Sequence, residues 1–255
     1  MEGRRILITG GAGFVGSHLG DSLGERNDVT IIDDLTTGTL QNLAEAPRTV
    51  RLKKASVLDE QPLREAMKDR EIIYHLAAKT SVPESVAKPE IYWRTNVEGT
   101  VRVLKAAADA GAKRVVFVSS AAVYGNSPEM PKVETMRPSP ESPYATTKMV
   151  GEFACEEIRG LTGIETVVVR LFNAYGPRQD PSSPYAGVMA KFSAAVAAGQ
   201  PLEIYGDGEQ TRDFVFIGDI AQALEHAAEK PVNGLVMNVA SGEAITVNEV
   251  VRILS

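Results

Sequence analysis

The sequence predicts an α/β fold: a doubly wound parallel sheet with helices on both faces, followed by a smaller C-terminal lobe. Three observations carry this. From residue 4 to about 171, short runs rich in Val, Ile and Leu alternate with longer helical stretches, the pattern of a sheet buried on both faces. The first run, Ile6-Leu-Ile8, leads into Gly10, Gly13 and Gly16, spaced for a tight turn from a strand into a helix. Beyond Asn173 the alternation gives way to loops rich in Pro, Gly and Ser, which marks a change of organisation.

Strands are expected at 4–9, 29–33, 50–53, 72–77, 114–119 and 166–171, with helical segments between most of them, a Rossmann-like order. In the lobe the pattern predicts a helix at 185–198, short extended pieces at 202–205 and 213–216, and a helix from 218. A strand at 235–239 is expected to return to the main sheet, and a last helix to cover 248–254. The division is therefore 1–173 for the sheet domain and 174–255 for the lobe, apart from that returning strand.

At 255 residues, 44% hydrophobic and 24% charged, the chain can bury a sizeable core. A net charge of -6 argues against affinity for nucleic-acid backbone. No apolar stretch is long enough to span a bilayer and no leader precedes the first strand, so a cytoplasmic protein without a membrane partner is expected. Cys155 is the only cysteine, which rules out an internal disulfide and suits burial in a helix. His18, His75 and His226 lack metal-ligand spacing, so no metal site is expected.

Three glycines at the end of a first strand let the backbone approach a pyrophosphate while the helix N-terminus faces its charge. The bland reading is a turn that serves packing. About 20 residues on, the second strand ends in Asp33-Asp34, where a carboxylate can accept from an adenosine ribose and would repel a 2'-phosphate, favouring NAD over NADP. These aspartates could equally open a polar turn. Tyr144 and Lys148, four residues apart, fall on one face of a helix, where an ammonium can stabilise a phenolate. A free tyrosine, with a pKa of about 10, is a poor base near neutrality. Without the glycines the pair would read as surface neighbours.

Together these residues resemble the extended short-chain dehydrogenase/reductase family, especially its nucleotide-sugar epimerases of the UDP-galactose 4-epimerase (UDP-glucose 4-epimerase) type. The resemblance covers nearly the whole chain. Its marks are Thr9-Gly-Gly-Ala-Gly13-Phe-Val-Gly16, His75-Leu-Ala-Ala78, Asn96-Val-Glu-Gly-Thr100, Val118-Ser-Ser-Ala-Ala-Val-Tyr-Gly125, Tyr144-x-x-x-Lys148, Arg170-Leu-Phe-Asn173-x-Tyr-Gly-Pro177 and Gly208-x-x-x-Arg212-Asp213.

The resemblance implies Ser120, Tyr144 and Lys148 as the catalytic group. It implies NAD held by Gly10, Gly13, Phe14, Val15 and Gly16, by Asp33, Asp34, Leu35, Thr36, Thr37 and Gly38 around the ribose, and by Ser56 and Val57 near adenine. Leu76, Ala77, Ala78, Thr80, Asn96, Ser119, Tyr144 and Lys148 would complete the cofactor site. Ser120, Tyr144, Phe172, Asn173, Val188, Tyr205 and Arg212 would meet a UDP-sugar substrate, with Tyr205 stacked on uracil and Arg212 on the diphosphate. It further implies an isomerase that inverts C4 through a transient 4-keto sugar, and a homodimer formed by helices at 96–110 and 143–159. A UDP-uronate 4-epimerase and a non-catalytic NAD-binding regulator remain the alternatives.

Three departures qualify it. Ala121 and Ala122 stand where sugar-nucleotide dehydratases carry an Asp-Glu pair, so dehydration is disfavoured. Ser56 replaces an aspartate common near adenine. The chain ends soon after Val247-Asn-Glu-Val-Val251, where family members continue through segments with a second phosphate-binding arginine and a residue governing N-acetylated sugars. An incomplete C-terminal end and an open sugar preference are the expectation.

Overall fold

The computed structural model describes residues 1–182 and 187–254. In chain order its strands and helices are β1 (Arg5–Thr9), α1 (Phe14–Gly24), β2 (Asp28–Asp33), β3 (Val50–Lys54), α2 (Glu60–Met67), β4 (Ile72–His75), α3 (Val82–Ala87) and α4 (Pro89–Tyr92). A π-helical stretch, Trp93–Glu98, runs into α5 (Gly99–Asp109), followed by β5 (Arg114–Ser120), a 3-10 turn at Ala121–Tyr124, α6 (Pro143–Thr162), β6 (Glu165–Leu171) and β7 (Asn173–Tyr175). The remainder is α7 (Val188–Ala197), β8 (Thr211–Arg212), β9 (Phe214–Phe216), α8 (Ile217–Glu229), β10 (Val236–Val239), β11 (Ile245–Thr246) and α9 (Val247–Leu254).

Seven strands form one sheet in the order β10-β6-β5-β4-β1-β2-β3, all parallel. The order reverses between β1 and β4, and a crevice opens beyond the carboxyl ends of the strands at such a switch point. Alternation along each strand divides the core in two. Ile6, Ile8, Ile31, Val116, Val118, Val167 and Val169 pack with Leu19 and Leu23 of α1 and with Ile220 and Leu224 of α8. Leu7, Ile32, Val115, Phe117 and Val168 pack with Leu63, Val103, Leu104 and Cys155 on the other face. Each such side chain contributes about 1.5–3 kcal/mol by leaving water, which is why these strands read as continuous apolar runs.

A third, smaller cluster joins Phe192 of α7 to Val247 and Val250 of α9, with Leu202, Ile204 and Phe214 against it. The segment 202–205, expected to be a short extended piece, forms no strand. Its Leu202 and Ile204 pack into this cluster, so apolar alternation met a small core instead of a neighbouring strand. The helix expected at 185–198 is described from Val188, and its first residues lie outside the described ones. No helix among the described residues is long and apolar enough to cross a membrane.

Helix α6 is set against β5 by Gly151. A Cβ there would come within 2.4 Å of the Phe117 ring, and that ring is fully buried beside the His75 ring at 5.7 Å. Alanine in place of glycine inside a helix ordinarily adds about 0.5–1 kcal/mol. Here overpacking reverses the sign, and Gly151→Ala should lose about 1–3 kcal/mol, read as a lower urea midpoint; an unchanged or raised midpoint would show that Phe117 yields.

Candidate active site

The turn after β1 is built by close backbone approach. Gly10 has φ +71°, and a Cβ on it would sit 2.7 Å from the Ala77 nitrogen. A Cβ on Gly16 would sit 2.4 Å from the Gly10 carbonyl oxygen. Gly13 is the N-cap of α1, and neither a side-chain cap nor an acidic residue occupies the first turn, so its N–H groups face the crevice. Asp33 fastens this turn: Oδ2 accepts from the Ala12 N–H at 2.9 Å and Oδ1 from the Leu35 N–H at 2.8 Å. Burial raises the Asp33 pKa, those two N–H groups draw it back, and the Asp34 charge adds to the rise. The loop 34–42 returns to the same turn, where Thr39 N–H and Asn42 Nδ2 both donate to the Ala12 carbonyl.

A crevice of about 1050 Å³ runs over these pieces, lined by Gly10, Gly13, Phe14, Val15, Gly16, Asp33, Asp34, Thr36, Thr37, Ser56, Val57, Leu76, Ala77, Ala78 and Thr80 among others. Gly38 lies behind it against Ala12, which a Cβ would meet at 2.8 Å, and Leu35 takes φ +60° beside it. Ser56 turns its chain toward α2: its N–H donates to Asp59 Oδ2 at 2.9 Å, and its hydroxyl accepts from the Leu58 N–H at 3.2 Å.

Tyr144 and Lys148 both lie on the buried face of α6, which Ser142 caps by accepting from the Ala145 N–H. Lys148 Nζ donates to the Val118 carbonyl at 2.8 Å and lies 5.2 Å from the Phe117 ring centre. Burial lowers its pKa to about 8, against the raising field of Glu152. Burial raises the Tyr144 pKa above 10.0, and hydrogen bonding with Ser120 draws it partly back. Burial thus sets the direction of the phenol's shift in the protein alone, while the Lys148 ammonium is hydrogen-bonded to a carbonyl. Ser120 Oγ also accepts from the Ala122 N–H at 3.1 Å, capping the 3-10 turn.

Two residues expected at the cofactor use their side chains elsewhere. Ser119 Oγ donates to Glu152 Oε1 at 2.5 Å, on the opposite face of β5 from Ser120, as strand alternation requires. Asn96 is buried; its Oδ1 accepts from Lys79 N–H at 2.8 Å, while its Nδ2 donates to Lys79 O and Thr147 Oγ1. It clamps the loop after β4, and the π-helical stretch is what brings it there.

The expected substrate residues spread along the small lobe. Phe172 packs against Tyr124 at 6.5 Å between ring centres. Asn173 Nδ2 donates to the Asp213 carbonyl at 2.9 Å. Val188 opens α7 inside the third cluster. Tyr205 is 71% exposed. Arg212 is exposed on β8, where its Nη1 donates to the Thr211 carbonyl. The Asp213 carboxylate accepts from Ser241 and Gly242, so Arg212 has no carboxylate partner among the described residues.

A family profile described as NAD dependent epimerase/dehydratase matches residues 6–240. The UDP-glucose 4-epimerase of Mycolicibacterium smegmatis is 40% identical over 251 residues, 96% of this chain and 80% of that protein. This chain belongs to the NAD dependent epimerase/dehydratase family. Within that family, the UDP-N-acetyl-alpha-D-glucosaminuronate decarboxylase of Bacillus cytotoxicus is 35% identical over 255 residues, 98% of this chain and 78% of that one. The solved UDP-N-acetylglucosamine 4-epimerase of Methanobrevibacter ruminantium M1, in complex with UDP-N-acetylmuramic acid, superposes with a TM-score of 0.96 at 40% identity, covering 99% of this chain and 81% of that one.

The crevice suits the NAD on which this family depends. Crowding at Gly10 and Gly16 would exclude side chains, and the uncapped N-terminus of α1 suits a pyrophosphate. Sequence reasoning missed the crevice wall at Arg178, Gln179 and Asp180. Arg178 pairs with Asp21 of α1 at 2.7 Å, and His18 Nε2 lies 3.0 Å from the Pro177 carbonyl oxygen. Only the Tyr-Gly-Pro run before it pointed there.

Sequence reasoning also gave His75 no task beyond its motif. It is fully buried, with Thr9 Oγ1 2.7 Å from Nδ1 and Thr100 Oγ1 2.9 Å from Nε2. Burial first, and the Lys148 charge second, lower its pKa to about 3. An unfolded histidine titrates near about 6.5, so between that value and about 3 the unfolded chain holds the extra proton. Stability from this group is complete above the upper value and falls as pH drops, by up to about 1.4 kcal/mol per pH unit. In His75→Gln the slope of unfolding free energy between about pH 6 and pH 4 should be shallower by up to one proton; parallel slopes would contradict a neutral buried imidazole.

Proposed function

We propose that the protein interconverts the 4-epimers of a UDP-sugar of the glucose/galactose type, with or without an N-acetyl group, through a transient 4-keto sugar. The observation that carries this is the arrangement at the end of β5 and the start of α6: Ser120 near enough to lower the pKa of the buried Tyr144 phenol, Lys148 buried with its ammonium on the Val118 carbonyl, and Ala121 and Ala122 following Ser120. Elimination of water needs an added acid and base next to that hydroxyl, whereas inversion at C4 needs only a proton acceptor at O4. NAD, when bound, supplies the hydride acceptor and donor at C4. Tyr144 takes the O4 proton, Ser120 hydrogen-bonds to the same oxygen, and Lys148 holds positive charge near the phenolate. After the keto sugar turns over within the site, Tyr144 returns the proton to O4, and the oxidation state of the sugar is unchanged.

Burial raises the Tyr144 pKa in the protein alone, and the Lys148 ammonium together with the positive charge of an oxidised nicotinamide would offset that rise. Tyr205, exposed with its hydroxyl donating to Glu203, and Arg212, exposed without a carboxylate partner among the described residues, are the side chains proposed to take uracil and diphosphate. Phe172, Asn173 and Val188 complete that proposed surface. Exposed Ile91, Trp93, Val101 and Phe153 on α4 to α6 support a homodimer through that apolar face.

The test supplies UDP-galactose and UDP-N-acetylgalactosamine separately, with NAD, and resolves products by NMR. Formation of the gluco epimer from either supports the reading. Tyr144→Phe should lower turnover by at least about 10³-fold with NAD still bound. Near-full activity in that variant, or release of CO2 from a UDP-uronate without epimer formation from either sugar, would overturn it.

A further inference from the structure

A buried charge pair lies directly behind Lys148. Glu152, one turn further along α6, and Arg170 on β6 are 8% and 4% exposed at their side chains. Arg170 donates Nε to Oε1 at 2.9 Å and Nη2 to Oε2 at 2.6 Å, a two-pronged contact. Ser119 adds a third donor on Oε1. Arg170 continues through Nη1 to the Tyr124 hydroxyl at 2.9 Å, and Tyr124 donates to Asn238 Oδ1 at 2.7 Å.

Such a pair is not explained by stability. The cost of removing two charges from water usually matches their attraction, and apolar residues of similar volume serve a core as well or better. Its position suggests another role. Lysine and glutamate four apart on a helix ordinarily pair with each other, and burial would strengthen that pairing. Here three donors already bond the Glu152 carboxylate, and Lys148 reaches the Val118 carbonyl instead.

We propose that Glu152, anchored by Arg170 and Ser119, is a positioning residue: it supplies the negative field that keeps the Lys148 ammonium charged while the anchoring prevents a direct Lys148–Glu152 ion pair. Arg170 is thus a competing partner that holds the carboxylate one turn away. The inference rests on the reading that Lys148 acts as a cation beside Tyr144. The titratable groups around the ammonium are Tyr144, Glu152 and Cys155 on α6, His75 on β4, Arg170 on β6 and Tyr124 after β5. His75 is held neutral and burial pushes the Cys155 thiol up, which leaves Glu152 as the negative charge that acts on Lys148. Lys79 lines the crevice. The charged residues of α3 to α5 pair at the surface, Glu84 with Lys88, Glu98 with Arg102 and Lys105 with Asp109, or are exposed, as are Glu90 and Arg94.

The test is the titration of Lys148 itself in the full chain loaded with NAD, with lysines carrying ¹³C at Cε and the Lys148 signal identified by its loss in Lys148→Met. Glu152→Gln keeps the shape and removes the field, so the midpoint should fall by about one unit. In Glu152→Gln combined with Arg170→Met neither charge remains. There the midpoint should fall less, because the Arg170 charge that Glu152→Gln leaves uncompensated is gone as well. Glu152→Asp should keep the midpoint nearer that of the unaltered protein.

A merely structural pair would lower the melting temperature and leave the midpoint within about 0.3 unit, and that result overturns the proposal. If circular dichroism shows that Glu152→Gln is unfolded, Arg170→Met decides: it leaves the Glu152 charge without its competing partner, so the Lys148 midpoint should rise, and an unchanged midpoint overturns the proposal. No sugar is needed, so failure here is distinguishable from failure of the 4-epimerisation reading.

Discussion

The constraint on which the rest of the structure depends is the burial of the Lys148 ammonium on the Val118 carbonyl. A charge taken out of water must be hydrogen-bonded and balanced, or it loses its proton. The first requirement draws α6 onto β5, which only a glycine at position 151 permits against Phe117. The second is met by the Glu152 carboxylate of α6, which Arg170 of β6 holds in place. His75, beside Phe117, is held neutral by burial first and by the Lys148 charge second. The chemistry proposed for Tyr144 therefore begins in how a helix and three strands share charge.

At the other end of the crevice the backbone does the positioning. The β1–α1 turn and the loop after β4 approach so closely that Gly10 and Ala77 leave no room for a side chain between them. Asp33 joins that turn to the end of β2 through two backbone N–H groups, and Asn96 fixes Lys79 through both amide atoms. Residues that the motifs suggested as direct contacts thus also serve as staples, which hold the N–H groups of α1 open to a pyrophosphate.

Much of this was legible in the sequence because its causes are local. The sheet strands follow from apolar runs buried on both faces, and the turn from glycine spacing. Tyr144 and Lys148 follow from one helical repeat. The direction of the Ser119 side chain was legible too: two consecutive strand residues face opposite ways, so Ser119 and Ser120 present their hydroxyls to opposite faces of β5. What remained hidden depends on partners far apart in the chain. Nothing near Glu152 names Arg170, nothing near Asn96 names Lys79, and the irregular 202–205 segment packs against helices α7 and α9 that its own pattern does not announce. The direction of the Tyr144 shift was hidden for the same reason, since burial, partly offset by Ser120, decides it.

The account's central claim is that one buried group of side chains removes a proton at O4 while hydride leaves C4 and later returns to the opposite face of the same sugar. The most direct measurement uses a UDP-sugar carrying deuterium at C4, followed by NMR of the epimer formed in ordinary water. The account predicts that the epimer keeps its deuterium at C4 and gains none of the solvent's hydrogen on carbon. Loss of the label from C4, or exchange at C5, would contradict it.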